Sequence, residues 1–455
     1  MPDTAPPVIC WFRRDLRLDD NPAFAAATAT GQPVVPLFIL DDGPEAPRAP
    51  GGASGWWLHH ALAALAADLA TLGVRLVLRR GPAAKVLDAV IAETGARAVH
   101  WNRLYDGASV ARDGAIKAAL KDRGVAAESH NGALLYEPWE VRTKAGGWFK
   151  VYTRFWQACR ERGDPPVARP APQAVAALSA WPASDELTDW NLLPTKPDWA
   201  AGFRDLWRPG EAGARARLDR FLDDAVADYA AGRDFPARPV TSGLSPHLAW
   251  GDIGPRRVWH AAMTGAPDGP GRETFLKELV WREFAHHVLF HFPELASEPM
   301  DAKFANFPWA PDDRLLAAWQ RGRTGYPLVD AGMRELWATG TMHNRVRMVV
   351  ASFLVKHLLQ RWQAGEAWFW DCLLDADAAS NPFNWQWVAG CGVDAAPYFR
   401  IFNPILQAEK FDPDGAYVRT WVPEVGTPAY PKPIVGHKVA RERALAAFKS
   451  LKGAS

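Results

Sequence analysis

A chain of 455 residues exceeds one ordinary core and predicts two domains. Its 48% hydrophobic and 23% charged residues fit a globular protein, and a net charge of +1 excludes bulk attraction to a polyanion. No segment is apolar enough to span a bilayer. The outlier is tryptophan, at 23 residues. Tryptophan supplies buried area, flat stacking faces and an oxidisable ring, so a π-rich ligand or redox chemistry comes into view even though most such rings pack in cores. Cys10, Cys159, Cys372 and Cys391 are scattered without a C-x-x-C pair. Disulfides, cysteine-ligated clusters and metal sites are therefore not expected. Reduced thiols, and an N-terminus "MPDTAPPVICWFRRDLRLDD" without the apolar run of a signal peptide, predict a cytoplasmic protein.

The N-terminal part alternates. "VICWF" (Val8–Phe12) and "VVPLFIL" (Val34–Leu40) read as buried strands, and "WWLHHALAALAADLATLG" (Trp56–Gly73) as a helix ending at glycine. "VRLVLRRG" is a strand, "AKVLDAVIAETG" a helix, "RAVHWN" a strand and "DGAIKAALKDRG" a helix. This order predicts an α/β domain over residues 1–130 built on a doubly wound parallel sheet. Ligands of such sheets sit beyond the strand carboxyl ends. Neither G-x-G-x-x-G nor a Walker A pattern is present, so no phosphate site is assigned to this half. Residues 131–201 are rich in proline and turn signals, as in "GDPPVARPAPQ", and read as a connector with short helices. From 202 to 455 the pattern is all-α. In "RETFLKELVWREFAHHVLFHF", Phe275, Glu278, Trp281, Arg282 and Ala285 fall near one face. "MHNRVRMVVASFLVKHLLQRW" carries an apolar stripe at Val346, Val349, Val350, Phe353 and Leu358. No repeats are evident.

Three stretches carry chemistry. "TSGLSPHL" (Thr241–Leu248) offers hydroxyls and free N–H groups of the kind that receive a phosphate, although helix capping explains it equally. "MHNRVRM" sets Asn344 and Met348 four apart on one face, flanked by Arg345 and Arg347. The apolar stripe forces this helix to pack, which carries some of these polar groups towards the interior. "LLDADAASNPFNWQW" offers Asp375, Asp377, Asn381, Trp385 and Trp387. No histidine stands nearby in sequence to complete a ligand set, and capping explains Asp377 and Asn381. The Asn-Pro pair favours a turn opening a helix, with Pro382 in its first turn. On that helix Trp385 and Trp387 would point about 200° apart; on a strand they would share a face.

The motifs "WFRRDLRLDDNPA", "TSGLSPHL", "WREF", "TGYPLVDAGMREL", "MHNRVRM", "DADAASNPFNWQW" and "APYFRIFNPILQAEKFDPDGAYVRTWVPE" together resemble the photolyase/cryptochrome family. The similarity covers nearly the whole chain in the same order, with spacing close to that of bacterial cyclobutane-pyrimidine-dimer photolyases.

The resemblance implies an antenna domain followed by a helical domain holding FAD. Tyr229, Thr241, Ser242, Gly243, Leu244 and Ser245 would cradle the FAD phosphates and ribityl chain. Many relatives carry a longer residue at Gly243, and some a tryptophan at Phe275. Asn344, Arg347, Asp375, Asp377 and Asn381 would surround the flavin ring, with Arg282 beside them and an Arg347–Asp375 pair at its edge. Plant cryptochromes typically have aspartate at Asn381, so asparagine leans towards repair. Repair would proceed by electron transfer from excited reduced FAD to a pyrimidine dimer flipped out of DNA, a step for which photolyases are a known example. Glu278, Trp281, Asn344, Met348 and Trp387 would form the lesion pocket. Histidines that mark (6-4) enzymes are absent from Asn344 and Met348. Arg233, Arg345, Arg400 and Lys410 would contact the DNA backbone. Trp385, Trp362 and Trp309 would relay electrons to the flavin. An antenna is implied, methenyltetrahydrofolate rather than a deazaflavin, although Ser109 stands where the folate pattern has glutamate. Trp56 and Trp57 would stack a pterin, or simply pack their helix.

The resemblance thus predicts a monomeric DNA-repair enzyme with no membrane partner. A cryptochrome-like photoreceptor is the alternative, against which the short segment after "WVPE" speaks. An electron-transfer flavoprotein would not need the lesion pocket, and a helical binding module explains neither the tryptophans nor the motif order.

Overall fold

The computed structural model describes residues 5–395 and 399–451; Ala396–Tyr398, inside the last quoted motif, lie outside the described residues. Strands β1 (Val8–Phe12), β2 (Val34–Leu40), β3 (Val77–Arg80), β4 (Ala98–Asn102) and β5 (Ala126–His130) form one parallel sheet in the order β3-β2-β1-β4-β5. All five residues of β1 are buried. An unbroken apolar run is what a central strand covered on both faces requires. Val8, Cys10 and Phe12 face α1 (Pro22–Ala29) and α2 (Gly52–Thr71), while Ile9 and Trp11 face α3 (Ala83–Thr94) and α4 (Gly107–Asp122).

Two elements carry little periodic signal. α1 is "PAFAAATA", held by the Asn21 side chain accepting from the Phe24 N–H and by Pro22 in its first turn. β5 is "AAESH", a half-exposed edge strand, which tolerates polar residues.

The helical part comprises α5 (Tyr152–Glu161), α6 (Ala201–Leu206), α7 (Glu211–Asp224), α8 (Tyr229–Gly232), α9 (Ser245–Trp250), α10 (Pro255–Gly265), α11 (Pro270–His291), α12 (Asp313–Gln320), α13 (Pro327–Thr339), α14 (Asn344–Ser352), α15 (Trp362–Cys372), α16 (Ser380–Ala389), α17 (Pro404–Phe411), α18 (Ala416–Trp421) and α19 (His437–Ser450). It has two cores. One gathers α5, α7, α10 and α11; the other gathers α13, α14, α15 and α19. α16 joins them: Phe383 packs in the first, Trp385 and Val388 in the second. The connector is less separate than its proline content suggests, because Tyr152, Phe155 and Cys159 of α5 enter the first helical core.

The stripe beginning at Val346 does not continue as one α-helix. Residues Phe353–His357 form a π-helical turn, which shifts the helical phase and buries Lys356 and His357. Lys356 Nζ donates to the Ala389 carbonyl at 2.6 Å, placing its amine at the C-terminus of α16, while burial pushes its pKa well below the usual lysine value. The four cysteines are free and buried, and no described helix is long and apolar enough to cross a membrane.

"WFRRDLRLDDNPA" forms the seam between sheet and helices. Arg14 stacks over Trp250, Arg17 donates to the Gly251 carbonyl, and Asp19 pairs with Arg257.

The fold also refuses protons. His287 Nε2 accepts from the Phe149 N–H at 3.1 Å, which a doubly protonated ring cannot do. Burial, helped by His291, pushes its pKa down to about 3. An unfolded histidine titrates near 6.5, so below that pH the unfolded chain binds a proton that the fold rejects. Stability from His287 is complete above about 6.5 and is lost as pH falls towards about 3. Between pH 7.5 and 5.5, thermal stability should fall by about 1 kcal/mol from this site. His287→Asn should flatten the pH profile of the melting temperature; an unchanged slope would refute the assignment.

Candidate functional site

Between the two helical cores lies a cavity of about 1140 Å³. That exceeds the usual 300–1,000 Å³ of a small-molecule site. Its lining residues come chiefly from α7, α8, the Thr241–Ser245 loop, α11, α14, the Asp375–Asp377 loop and α16.

At one end, Thr241, Ser242, Gly243, Leu244 and Ser245 line the wall with Tyr229, Arg217 and Arg220. Gly243 has φ +63°, and a Cβ there would stand 2.6 Å from Arg217 Nη1. The arginine occupies the space that a longer residue would fill. Arg217 stacks over Trp207, and Arg220 has no ion pair among the described residues. Two guanidiniums facing hydroxyls and a glycine turn make a site for a diphosphate. Neither arginine was singled out in the sequence, although their i, i+3 spacing on an amphipathic helix puts them on one face.

In the middle, Arg347 holds Asp375 with two hydrogen bonds of 3.1 and 2.9 Å. Asp377 caps α16, accepting from the N–H groups of Ala379 and Ser380. Burial would raise its pKa, but His286, Arg282 and those amides outweigh burial and keep it below the ordinary range. The histidine missing beside Asp377 in sequence is thus supplied by α11: His286 Nε2 lies 3.8 Å from its carboxylate. Asn381 donates to the carboxylate and carbonyl of Glu366 at 2.8 and 3.0 Å. Glu366 in turn receives both contacts of Arg48, at 2.8 and 2.9 Å, from the loop before α2. Burial raises the Glu366 pKa while Arg48 and Asn381 oppose it. This chain from the sheet domain to the cavity crosses 318 residues of sequence and left no local signal.

The same cavity is lined by Phe275, Glu278, Trp281 and Arg282 of α11, Asn344 and Met348 of α14 and Trp387 of α16, with Phe275 packed edge-on against Tyr229 at 5.7 Å. Trp281 is stacked on Tyr152 at 3.6 Å and 7°, leaving one face for the cavity. Trp387 donates its indole N–H to the Asp394 carbonyl, and Arg400 lies over its ring.

α16 is a helix, so the two neighbouring tryptophans part. Trp385 packs edge-on against Phe369 and Trp319 at 5.0 and 6.2 Å, with its rim against Gly365. Trp362 starts α15, one turn before Gly365, and is 1% exposed. Trp309 is half-buried, and the Ala310 N–H beside it donates to Leu359, three residues before Trp362. Trp362 and Trp309 do not line the cavity. Trp319, a second ring against Trp385, was not anticipated.

The four basic residues divide. Arg233 is engaged by Glu278 and lies over Tyr229, and Arg345 pairs with Asp234 at 2.8 Å, so neither is a free phosphate ligand. Arg400 and Lys410 are exposed and have no carboxylate ion pair among the described residues. Trp56 and Trp57 cannot stack a pterin: they are 2% and 0% exposed, packed on Phe203, Trp207 and His247. Ser109 is fully buried at the start of α4, its hydroxyl unpartnered.

The donor set suits FAD. Arginines and hydroxyls would meet the diphosphate, aromatic rings would meet a flat ring system, and the buried Arg282 Nε and Trp385 Nε1 have no partner within the protein.

Comparison with known proteins agrees. Residues 8–173 match the family model of DNA photolyase, and residues 275–429 that of the FAD binding domain of DNA photolyase. The chain is 51% identical to the deoxyribodipyrimidine photo-lyase of Agrobacterium fabrum, over 98% of both chains. It is 40% identical to Cryptochrome-2 of Arabidopsis thaliana, over 92% of this chain and 70% of the other. It superposes on the crystal structure of a bacterial class III photolyase from Agrobacterium tumefaciens with a TM-score of 0.95 over 98% of each chain. A sheet domain and a helical domain enclosing a cavity with FAD-type donors, matched along the whole chain, mean that this chain belongs to the photolyase/cryptochrome family.

Proposed function

We propose that this chain is a light-driven lyase that splits cyclobutane pyrimidine dimers in DNA. One observation carries the reading: a single cavity joins the Arg347–Asp375 and Asn381–Glu366 groups to a pocket walled by Trp281, Met348 and Trp387.

Bound FAD, in its reduced form, supplies light absorption and the electron that splits the dimer. The protein's residues do the rest. Arg347, its direction fixed by Asp375, would offer its guanidinium to the flavin ring. Asn381, its amide N–H groups held by Glu366, would present an uncharged side chain to the flavin. A lesion turned out of the duplex replaces stacking on its neighbours by contact with Trp281 and Trp387. Glu278, oriented by Arg233, offers a carboxylate to a base edge, and Asn344 and Met348 close the wall. Arg400 and Lys410 hold the flanking backbone, a contact that positions without reading sequence. Trp385, Trp362 and Trp309 form a route for electrons from surface to cavity, because each ring is oxidisable, Trp385 lines the cavity, and Trp309 is part-exposed while the other two are buried. A folate antenna completes the reading, seated away from Trp56 and Trp57.

The test is blue-light treatment of an oligonucleotide carrying one thymine dimer, with fully reduced protein. Restoration of the two thymines is expected; its absence would sink the proposal. The spectrum of the supernatant after denaturation identifies the antenna.

A further inference from the structure

We propose that the outer edge of the sheet carries a divalent transition-metal site formed by His100, Glu128 and His130. The three offer one ligand atom each, and these atoms all lie within 4.8 Å of one another.

The arrangement follows from strand geometry. Glu128 and His130 are two apart on β5 and share a face, while Ser129 between them points to the other. The parallel register sets His100 of β4 directly beside Glu128. His100 Nδ1 then meets His130 Nε2 at 3.1 Å, with the Glu128 carboxylate 3.9 Å from the same nitrogen. Two imidazole nitrogens on one tetrahedral zinc, at about 2.0–2.1 Å each, stand about 3.3 Å apart. The histidine pair is therefore at ligand spacing as it stands. Glu128, with 63% of its side chain exposed, has the freedom to close the remaining distance.

The nearest basic side chains, Arg103 and Lys117, are close enough to act on His130 and help keep it neutral, but their hydrogen bonds go to other groups. Lys117 and Arg103 reach Ser129, on the opposite face of β5, and Arg103 also pairs with Glu137. α1, which packs beside β4 and β5, contains no charged residue. Cys10 lies next to His100 in register but is fully buried in the core, so the set is two histidines and one carboxylate. Such a set prefers zinc, nickel or copper to magnesium or calcium, and three protein ligands leave a position for water. The ion would tie the edge strand β5 to β4.

The competing explanation is a plain hydrogen bond between two neutral imidazoles. Full-length, tag-free, FAD-loaded protein is stripped with chelator and titrated with Zn²⁺ by equilibrium dialysis and calorimetry. One ion per chain is expected, with the melting temperature rising by a few degrees. Glu128→Gln and His130→Ala are at the half-exposed edge, so FAD content and circular dichroism report whether they fold. Each should weaken Zn²⁺ binding at least tenfold. Absence of stoichiometric uptake, or uptake unchanged in His130→Ala, would leave only the hydrogen bond and overturn the proposal.

Discussion

Replacing Trp362 by phenylalanine is expected to stop light-driven reduction of the oxidised cofactor, while chemically reduced protein still repairs DNA at the parental rate. Trp385 forms part of the cavity wall and is the proposed inner donor. Once oxidised, it regains its electron from the cofactor unless a further ring refills it. Trp362, buried on the adjoining helix, is the proposed second donor, and half-buried Trp309 the outer one. Phenylalanine keeps an apolar ring but is far harder to oxidise. Photoreduction with external thiol should drop at least tenfold in Trp385→Phe and Trp362→Phe, and the radical should stop at Trp362 in Trp309→Phe. Shrinking a buried ring costs roughly 1–3 kcal/mol, so a melting curve must accompany each variant. Trp319→Phe is the decisive companion, since that ring also lies against Trp385 at 6.2 Å. If Trp362→Phe photoreduces normally and Trp319→Phe does not, electrons enter through Trp319.

Trp281→Ala should weaken binding of dimer-containing DNA about 10–100-fold, or about 1–3 kcal/mol, the usual worth of one base–aromatic contact. The ring is already stacked on Tyr152 at 3.6 Å, so it is held flat before a lesion arrives. Pre-ordering of this kind removes an entropy cost from binding. Undamaged DNA should bind as before, because it never enters the pocket. Trp281→Phe should recover most of the loss. Lys410→Ala gives the contrasting pattern: both DNAs weaken equally and the salt dependence becomes shallower. Filter binding at two salt concentrations separates the two. An equal loss for damaged and undamaged DNA in Trp281→Ala would remove Trp281 from the lesion pocket.

Much of this architecture is legible locally. Runs such as "VICWF" and "VVPLFIL" had to be central strands, because only a doubly covered strand tolerates apolar residues on both faces. Asn381 and Pro382 opened a helix, and a helix necessarily turns Trp385 and Trp387 apart. The weak elements were the alanine-rich α1 and the polar edge strand β5, where burial on one side makes little demand on sequence.

By itself, then, the sequence determined the family, the order of elements and many of the residues around the cavity, since motif and periodicity are properties of neighbours along the chain. Tertiary structure alone decided what lies between distant segments. It set Arg48 on Glu366, His286 beside Asp377 and Tyr152 under Trp281, and it withdrew Arg233 and Arg345 into ion pairs. It also buried Trp56 and Trp57 beyond reach of any ligand. The parallel register of β4 and β5 brought His100 against Glu128 and His130. Such contacts depend on how faces pack across tens or hundreds of residues, and no local pattern encodes that geometry.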